Sequence, residues 1–342
     1  MPFRQEELQI RGWAVECRIN AEDSLHNFLP SVGRLVRYQP PETQVGSVRV
    51  DSGVYEGGEI PIHYDSMIAK LVCHGATRDE ALARLRDALN AFVIRGVATN
   101  IAFQAALTRH PRFVAGHLST AFLAEEYPNG FHGAELPPDG THFLVVVAAA
   151  VHRIYLERAS RIEGQVPGHE LRIGEDFVVV SDDAEHEVKV QRVKDGCDVR
   201  VHGTTHEIRS AWRFGDILMR GSLDGTPFCV QVERPGLRYR LASMGVQIEY
   251  WVMPQRASEL LRLMPRKLPP NTANFLLSPM PGLLVAVLVE LGQEVPAGAR
   301  LVVIEAMKMQ NTLLAERAGT IAELLASPGE SVAVNQPIIR FT

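Results

Sequence analysis

Lys308 stands between two methionines, in the run Glu305-Ala306-Met307-Lys308-Met309. A lysine amine that is held away from the surface on a rigid base can be acylated at one active site and then reach another. Methionine side chains are flexible and apolar, and two of them exposed beside a lysine suit recognition by a modifying enzyme better than they suit solubility. The alternative is that both methionines face a core and that Lys308 is an ordinary solvated lysine.

An internal repeat surrounds this lysine. Residues 282–305 slide onto residues 319–342 without a gap, which places Gly292 on Gly329. Two similar four-strand halves predict a flattened barrel with approximate twofold symmetry. The chain must pass from one half to the other after residue 305, so the repeat places Lys308 where a hairpin tip belongs.

The region around Lys308 resembles the biotinyl carrier domain of biotin-dependent carboxylases. Glu-Ala-Met-Lys-Met is the motif of that family, and the Pro-Met-Pro-Gly run that ends at Gly282 lies at the expected distance upstream. Lipoyl domains share the fold but carry Asp-Lys-Ala at the tip, so the methionines favour biotin. The resemblance implies covalent biotin on Lys308 and recognition by biotin protein ligase of Glu305, Ala306, Met307 and Met309.

Three stretches near the N-terminus resemble the C-terminal subdomain of biotin carboxylase, an ATP-grasp enzyme. They are residues 12–23, 28–33 and 63–70, and the resemblance extends from residue 1 to about residue 128. It implies that Arg18 lies against the ureido ring of biotin, where a fixed guanidinium stabilises the developing enolate oxygen. For Asp65 it suggests a place close to the biotin site. Asp65 either orients Arg18 or caps a following helix.

Several parts of a complete biotin carboxylase are missing from this sequence. It contains no Gly-rich phosphate loop, no set of ATP-binding lysines and no Glu-x-Asn-x-Arg segment. In the family these parts precede the region that residues 1–128 resemble. We therefore expect the chain to be the C-terminal half of a longer polypeptide. ATP and Mg²⁺ or Mn²⁺ would serve the complete enzyme through ligands outside this chain, and the chain alone should not carboxylate biotin.

Composition and hydrophobic patterning differ between successive regions of the sequence, which predicts a multidomain α+β protein. Residues 1–132 correspond to the truncated ATP-grasp subdomain, and residues 133–264 to a helix-plus-barrel domain. A Pro-rich linker follows at 265–274, and a β-sandwich of the biotinyl/lipoyl type at 275–342. In the second region, short alternating strands recur about every ten residues, which predicts an antiparallel barrel.

A helix predicted at about 141–161 precedes that barrel, and its first half is apolar all round, which indicates burial. We expect the barrel to cover only part of the helix and a partner to cover the rest. The order of the domains resembles the alpha subunit of acyl-CoA carboxylases, where the middle domain docks a carboxyltransferase beta subunit in an oligomeric holoenzyme. The shorter motifs resemble those of family members that act on propionyl-CoA. Members that act on methylcrotonyl-CoA are the alternative. A biotinylated assembly module without catalysis is a different possibility.

The bulk composition excludes several other classes. A net charge of -5 argues against nucleic-acid binding, which requires clustered positive charge. The longest apolar run, at 143–151, is far shorter than the roughly 20 residues of a membrane span. Four scattered cysteines and dispersed histidines predict reduced thiols and no metal site. These features favour the bacterial cytoplasm, or the mitochondrial matrix if the source is eukaryotic.

Overall fold

Three layered units follow one another along the chain. The structure is a computed structural model, and it describes residues 4–7, 9–62, 64–136, 140–182, 184–265, 274–307 and 309–342. Lys308, His63 and most of the predicted Pro-rich linker lie outside the described residues.

The first unit is a three-stranded antiparallel sheet, in the order β1-β8-β6, with helices packed against it. Three further pairs of short strands, β2-β3, β4-β7 and β5-β9, complete it. Its helices are α1 (Arg78–Ala91), α2 (Ile101–Leu107), α3 (Pro111–Val114) and α4 (Phe122–Glu126). Its strands are β1 (Trp13–Asn20), β2 (Glu22–Asp23), β3 (Leu29–Pro30), β4 (Gly33–Arg34), β5 (Arg37–Gln39), β6 (Val48–Ser52), β7 (Glu59–Ile60), β8 (Met67–Gly75) and β9 (Val93–Arg95).

Local sequence explains the two main elements of this unit. In β1, Cys17 and Ile19 are buried while Arg18 between them and Glu16 before them face outward, which is the alternation that predicts a half-buried strand. Helix α1 begins after Thr77, whose hydroxyl accepts a hydrogen bond from the Glu80 main-chain N–H. Thr77 and Glu80 therefore form a capping box, although the Glu80 carboxylate reaches back to the N–H of Ala76.

The second unit is an eight-stranded closed antiparallel barrel with consecutive strands paired. A long helix, α5 (Gly140–Ser160), precedes it and a short one, α6 (Gln255–Leu261), follows it. The predicted barrel is confirmed. Its strands are β10 (Asp176–Val180), β11 (Glu185–Val193), β12 (Gly196–Val201), β13 (Thr204–Arg209), β14 (Leu218–Leu223), β15 (Thr226–Glu233), β16 (Arg238–Ser243) and β17 (Val246–Met253).

Helix α5 lies inside this barrel. Every residue from Leu144 to Val151 has no exposed surface, and these residues share one core with inward-facing side chains of all eight strands. At the end of the stretch, burial lowers the pKa of His152 to about 4, and its Nδ1 lies 3.0 Å from the Tyr239 hydroxyl. The apolar half of the helix is buried as predicted. The expectation that the barrel covers only part of it is wrong, because a closed barrel surrounds the helix on all sides.

Barrel and first unit are joined by a polar interface. The Gln231 amide donates to the main-chain oxygens of Asn90 and Phe92, at 3.0 and 3.1 Å. Beside it, Arg95 pairs with Glu233 at 2.6 Å. These bonds connect strand β15 to the end of helix α1 and to the residues that follow it. The barrel is therefore held directly against the carboxylase-like unit.

The third unit consists of two four-stranded sheets, in the orders β18-β25-β23-β20 and β22-β21-β19-β24. Each sheet takes two strands from one copy of the internal repeat and one strand from the other copy, β20 in the first sheet and β24 in the second, and the inner faces of the two sheets share one core. The strands are β18 (Phe275–Leu277), β19 (Gly282–Val287), β20 (Glu294–Val295), β21 (Arg300–Ala306), β22 (Met309–Leu314), β23 (Gly319–Leu324), β24 (Ser331–Val332) and β25 (Pro337–Phe341). Across the described parts of the chain, no helix has the length and apolar character needed to cross a membrane.

Candidate functional site

The attachment motif lies at a tight hairpin. Strands β21 and β22 pair up to Ala306 opposite Met309, so the turn between them consists of two residues, 307 and 308. Met307 has a φ of 51°, the left-handed conformation that two-residue hairpin turns require at their first central position. Lys308 itself lies outside the described residues. The predicted position of the motif at a hairpin tip therefore agrees with the strands on either side.

Close packing behind the hairpin holds it rigid. Gly282 lies so near β21 that a Cβ atom there would stand 2.6 Å from a methyl carbon of Ile304. The Ser278 hydroxyl donates to the Met280 main-chain oxygen at 2.6 Å, and the Asn311 amide reaches the Met280 sulfur at 3.7 Å. The Pro-Met-Pro-Gly run thus serves as a support for the attachment hairpin, which gives a physical reason for its spacing.

The two methionines differ in environment. Met309 is 49% exposed, but Met307 is only 6% exposed. The expectation of two exposed methionines is therefore wrong for Met307, because that side chain is covered by another part of the chain. Of the other two residues predicted for ligase recognition, Ala306 is buried and Glu305 is partly exposed, with its carboxylate accepting from the Gln310 amide at 3.1 Å.

Met307 is covered by the first unit. Its main-chain N–H donates to the Ile62 main-chain oxygen at 2.6 Å, and its side chain belongs to the first unit's hydrophobic core. In the opposite direction, Leu29 of the first unit packs against the core of the third. The attachment hairpin is therefore seated on the carboxylase-like unit.

Arg18 lies on the outward face of β1. Its side chain is 67% exposed, and its Nε lies 3.7 Å from a carboxylate oxygen of Glu16 on the same face. The side chain of Asn100 holds the main chain on both sides of it, with the amide donating to the Arg18 oxygen at 3.0 Å and Oδ1 accepting from the Asn20 N–H at 2.9 Å. The main chain is fixed while the guanidinium remains accessible to a ligand.

The structure does not bring Asp65 to Arg18. The Asp65 carboxylate accepts from the Met67 main-chain N–H at 2.9 Å, which caps the start of strand β8. Among the described residues, no hydrogen bond or ion pair joins Asp65 to Arg18. Of the two predicted roles, orienting Arg18 and capping an element, the second fits better, although the element it caps is a strand and the helix expectation is wrong.

Sequence analysis missed one neighbour of Arg18. Lys70 on β8 lies directly opposite Arg18 in the sheet, so the two cations are cross-strand partners. Like charges in that position repel each other, and two carboxylates flank the pair, with Glu16 beside Arg18 and Asp51 opposite Lys70 on β6. The pair is suited to stabilise negative charge that develops on a bound group. Only the register of the two strands reveals this pairing, since the residues are far apart in sequence.

The remaining candidate ligands give no metal centre. No group of three or more His, Cys, Asp or Glu side chains able to hold a metal ion occurs in the part of the chain that the structure describes. All four cysteines are free, and burial raises the pKa of Cys17 to about 12 and of Cys73 to about 11. These are packed thiols and not nucleophiles.

Three family models match the chain in succession. They are the biotin carboxylase C-terminal domain at 16–125, the propionyl-coenzyme A carboxylase BT domain at 144–267 and the biotin-requiring enzyme domain at 275–341. The first contains Arg18, the second corresponds to the barrel with its enclosed helix, and the third carries the attachment hairpin. The chain therefore resembles biotin-dependent carboxylases in each of its three units.

Curated relatives are similar to the chain over most or part of its length. The chain is 42% identical, over its whole length, to the propionyl-CoA carboxylase alpha chain of Ruegeria pomeroyi and covers 53% of that protein. It is 38% identical to the mitochondrial propionyl-CoA carboxylase alpha chain of Mus musculus, over 99% of this chain and 47% of that protein. With biotin carboxylase 1 of Bacillus subtilis it shares 50% identity over 36% of this chain and 27% of that protein. The chain is thus similar along nearly its whole length to propionyl-CoA carboxylase alpha chains, and it spans about half the length of those relatives.

Proposed function

We propose that this chain forms part of the biotin-carrying alpha subunit of a propionyl-CoA carboxylase. Such an enzyme uses ATP and bicarbonate to carboxylate biotin and then transfers the carboxyl group to propionyl-CoA, giving methylmalonyl-CoA. We further propose the division at 1–132, 133–264, 265–274 and 275–342 as its domain organisation. The three folded parts are named the carboxylase domain, the barrel domain and the carrier domain.

The observation that carries this proposal is the seat of the attachment hairpin on the carboxylase domain. A carrier lysine has to visit the site that loads it, and Met307 contacts Ile62 in the domain that holds Arg18. The residues present fit covalent biotin, since a rigid two-residue hairpin supports the motif. When bound to Lys308, biotin supplies a group that accepts a carboxyl at one site and releases it at another.

The chain's own residues contribute charge and position. We propose that Arg18, with Lys70 opposite, stabilises negative charge on the ureido oxygen of biotin. Asn100 fixes the strand that bears Arg18. Asp65 and Ser66 shape the segment that follows Ile62, because the Asp65 carboxylate accepts from the Met67 N–H and the Ser66 hydroxyl donates to Glu22 of β2 at 2.5 Å.

Substrate choice is tested in the assembled enzyme. In a holoenzyme with the ATP-binding half and a beta subunit, we expect fixation of labelled bicarbonate into propionyl-CoA to be faster than into 3-methylcrotonyl-CoA. Each acyl-CoA is compared at equal concentration by the label recovered in the acid-stable product. Faster labelling of 3-methylcrotonyl-CoA would assign the chain to the other branch, and labelling of neither would contradict the proposed activity.

The barrel domain exposes an apolar surface in the connection after α5. After α5 leaves the barrel, the segment before β10 exposes Ile162, Val166 and Leu171, at 56%, 64% and 41% of their surface. Three large apolar side chains in one exposed connection are typical of a protein contact. We propose that this segment, here called the apolar connection, docks the carboxyltransferase beta subunit.

Placing charge in the apolar connection should prevent that docking. We expect Ile162→Asp with Val166→Asp to weaken beta-subunit binding by about a hundredfold, because each buried aliphatic side chain contributes roughly 1.5–3 kcal/mol. The measurement is co-purification and titration of the holoenzyme, with biotinylation as a check of folding. Leu237→Asp is the matched control, since Leu237 is 67% exposed in another barrel turn. Normal affinity of the double variant would place docking elsewhere.

A further inference from the structure

We propose that Met307 is a positioning residue that docks the carrier domain on the carboxylase domain, a task that Met309 does not share. This inference rests on the proposed function, because it concerns how the carrier is presented for loading. It gives the two methionines around the attachment lysine separate roles: Met307 holds the hairpin on the loading domain, and Met309 remains open to other proteins.

The burial of Met307 comes from outside its own domain. The side chain belongs to the hydrophobic core of the carboxylase domain, whereas the preceding residue, Ala306, belongs to the core of the carrier domain. The carrier fold therefore does not depend on Met307 for its own packing. An apolar side chain that is buried only by a second domain is explained by contact with that domain.

A main-chain hydrogen bond gives this contact a direction. The Met307 N–H donates to the Ile62 oxygen at 2.6 Å, and the left-handed φ of Met307 belongs to the same turn. Side-chain burial alone would permit sliding of the hairpin, but a directional bond to one carbonyl sets its register. A fixed Met307 therefore sets where the attachment hairpin is presented on the carboxylase domain.

The docking surface lies beside the strand that carries Arg18. Ala21 accepts from the Ser31 N–H at 2.9 Å and donates to the Ser66 oxygen at 2.7 Å. These bonds tie together the two segments that touch the carrier domain, since Leu29 lies on the first and Ile62 on the second. The carrier thus contacts a surface whose two segments are both hydrogen-bonded to Ala21, three residues after Arg18.

Cross-linking of this chain tests the docked arrangement without any assay of activity. A main-chain hydrogen bond brings the two Cα atoms to within about the 4.4–6.8 Å span that a disulfide requires. We expect Ile62→Cys with Met307→Cys to form an intramolecular disulfide under mild oxidation, seen by peptide mass analysis. Ile62→Cys with Leu314→Cys is the control, because Leu314 is exposed at the other end of β22. Equal yields from the two pairs would overturn the inference.

Kinetics of the holoenzyme separate positioning from chemistry. We expect Met307→Ala to lower bicarbonate-dependent ATP turnover on the tethered biotin by about tenfold. The substitution removes one apolar side chain that is buried on docking, and a loss of this size lowers the population of the docked carrier by about that factor. Turnover with free biotin should remain unchanged, because free biotin needs no docking. Leu314→Ala should alter neither rate. All rates are expressed per biotinylated carrier, measured by intact mass.

The outcomes distinguish failure of the docking role from failure of the proposed function. If the wild-type holoenzyme turns over neither tethered nor free biotin, the proposed function fails. If it is active and Met307→Ala matches it on the tethered biotin, the proposed function stands and the docking role of Met307 is refuted. A parallel loss with free biotin would likewise refute docking, since it would place Met307 in the structure of the loading site.

Discussion

Substitution of Lys308 by arginine is expected to abolish biotinylation. Biotin protein ligase forms an amide with a lysine amine, and a guanidinium keeps the charge but offers no comparable nucleophile. With ligase, biotin and ATP, the wild-type chain should gain the mass of one biotinyl group and the Lys308→Arg chain should gain none. Intact-mass spectrometry is the measurement, and it covers the whole chain at once.

A second lysine makes this experiment specific. Lys194→Arg, in an exposed hairpin turn of the barrel domain, is the matched control and should be biotinylated like wild type. Biotin that survives in Lys308→Arg would mean that another lysine is the attachment site. Modification lost in both variants would point to a fault of the assay, which the wild-type chain run beside them would reveal.

Removal of the Arg18 guanidinium is expected to cost a factor of about 10²–10³ in biotin carboxylation, the usual effect of losing one oxyanion-type contact. Affinity for ATP should remain nearly intact, because Arg18 is proposed to contact biotin and not the nucleotide. The measurement is ATP turnover with free biotin in an enzyme that carries the ATP-binding half. It reports on the loading site without requiring the carrier domain to dock.

The control is another exposed strand arginine of the same sheet. Arg49 on β6 is 68% exposed and pairs with Asp51 at 3.1 Å, much as Arg18 pairs with Glu16. Surface ion pairs of this kind are worth little, so Arg49→Ala should be close to wild type in turnover. If Arg18→Ala behaves like Arg49→Ala, the guanidinium of Arg18 belongs to a surface ion pair and has no part in loading.

Local sequence predicted most elements of this fold. Helix α5, the barrel strands and the two halves of the carrier domain all follow from periodicity and repetition, which act within a short stretch of chain. The hairpin at 307–308 could be placed for the same reason. These features required no knowledge of how the domains meet.

What could not be predicted depends on contacts between distant segments. Burial of Met307 requires the carboxylase domain to lie over the hairpin, and the pairing of Arg18 with Lys70 requires the register of β1 against β8. Asp65 carries no sequence signal that distinguishes a cap from a ligand. The enclosed helix is a similar case, since an all-round apolar helix predicts burial but does not identify the surrounding layer.

The helix inside the barrel also constrains how this domain folds. Strands β10 and β17, which close the barrel, pair through only three positions, Val178 to Val180, and they lie at opposite ends of the barrel sequence. The helix has to be in place before that seam forms, because a closed ring of strands gives it no entrance. Opening the seam would expose the whole apolar stretch of the helix to water at once. We therefore expect helix and barrel to form and to unfold together, as one cooperative unit that tolerates inserted residues in its outer turns but not a break in the chain between α5 and β10.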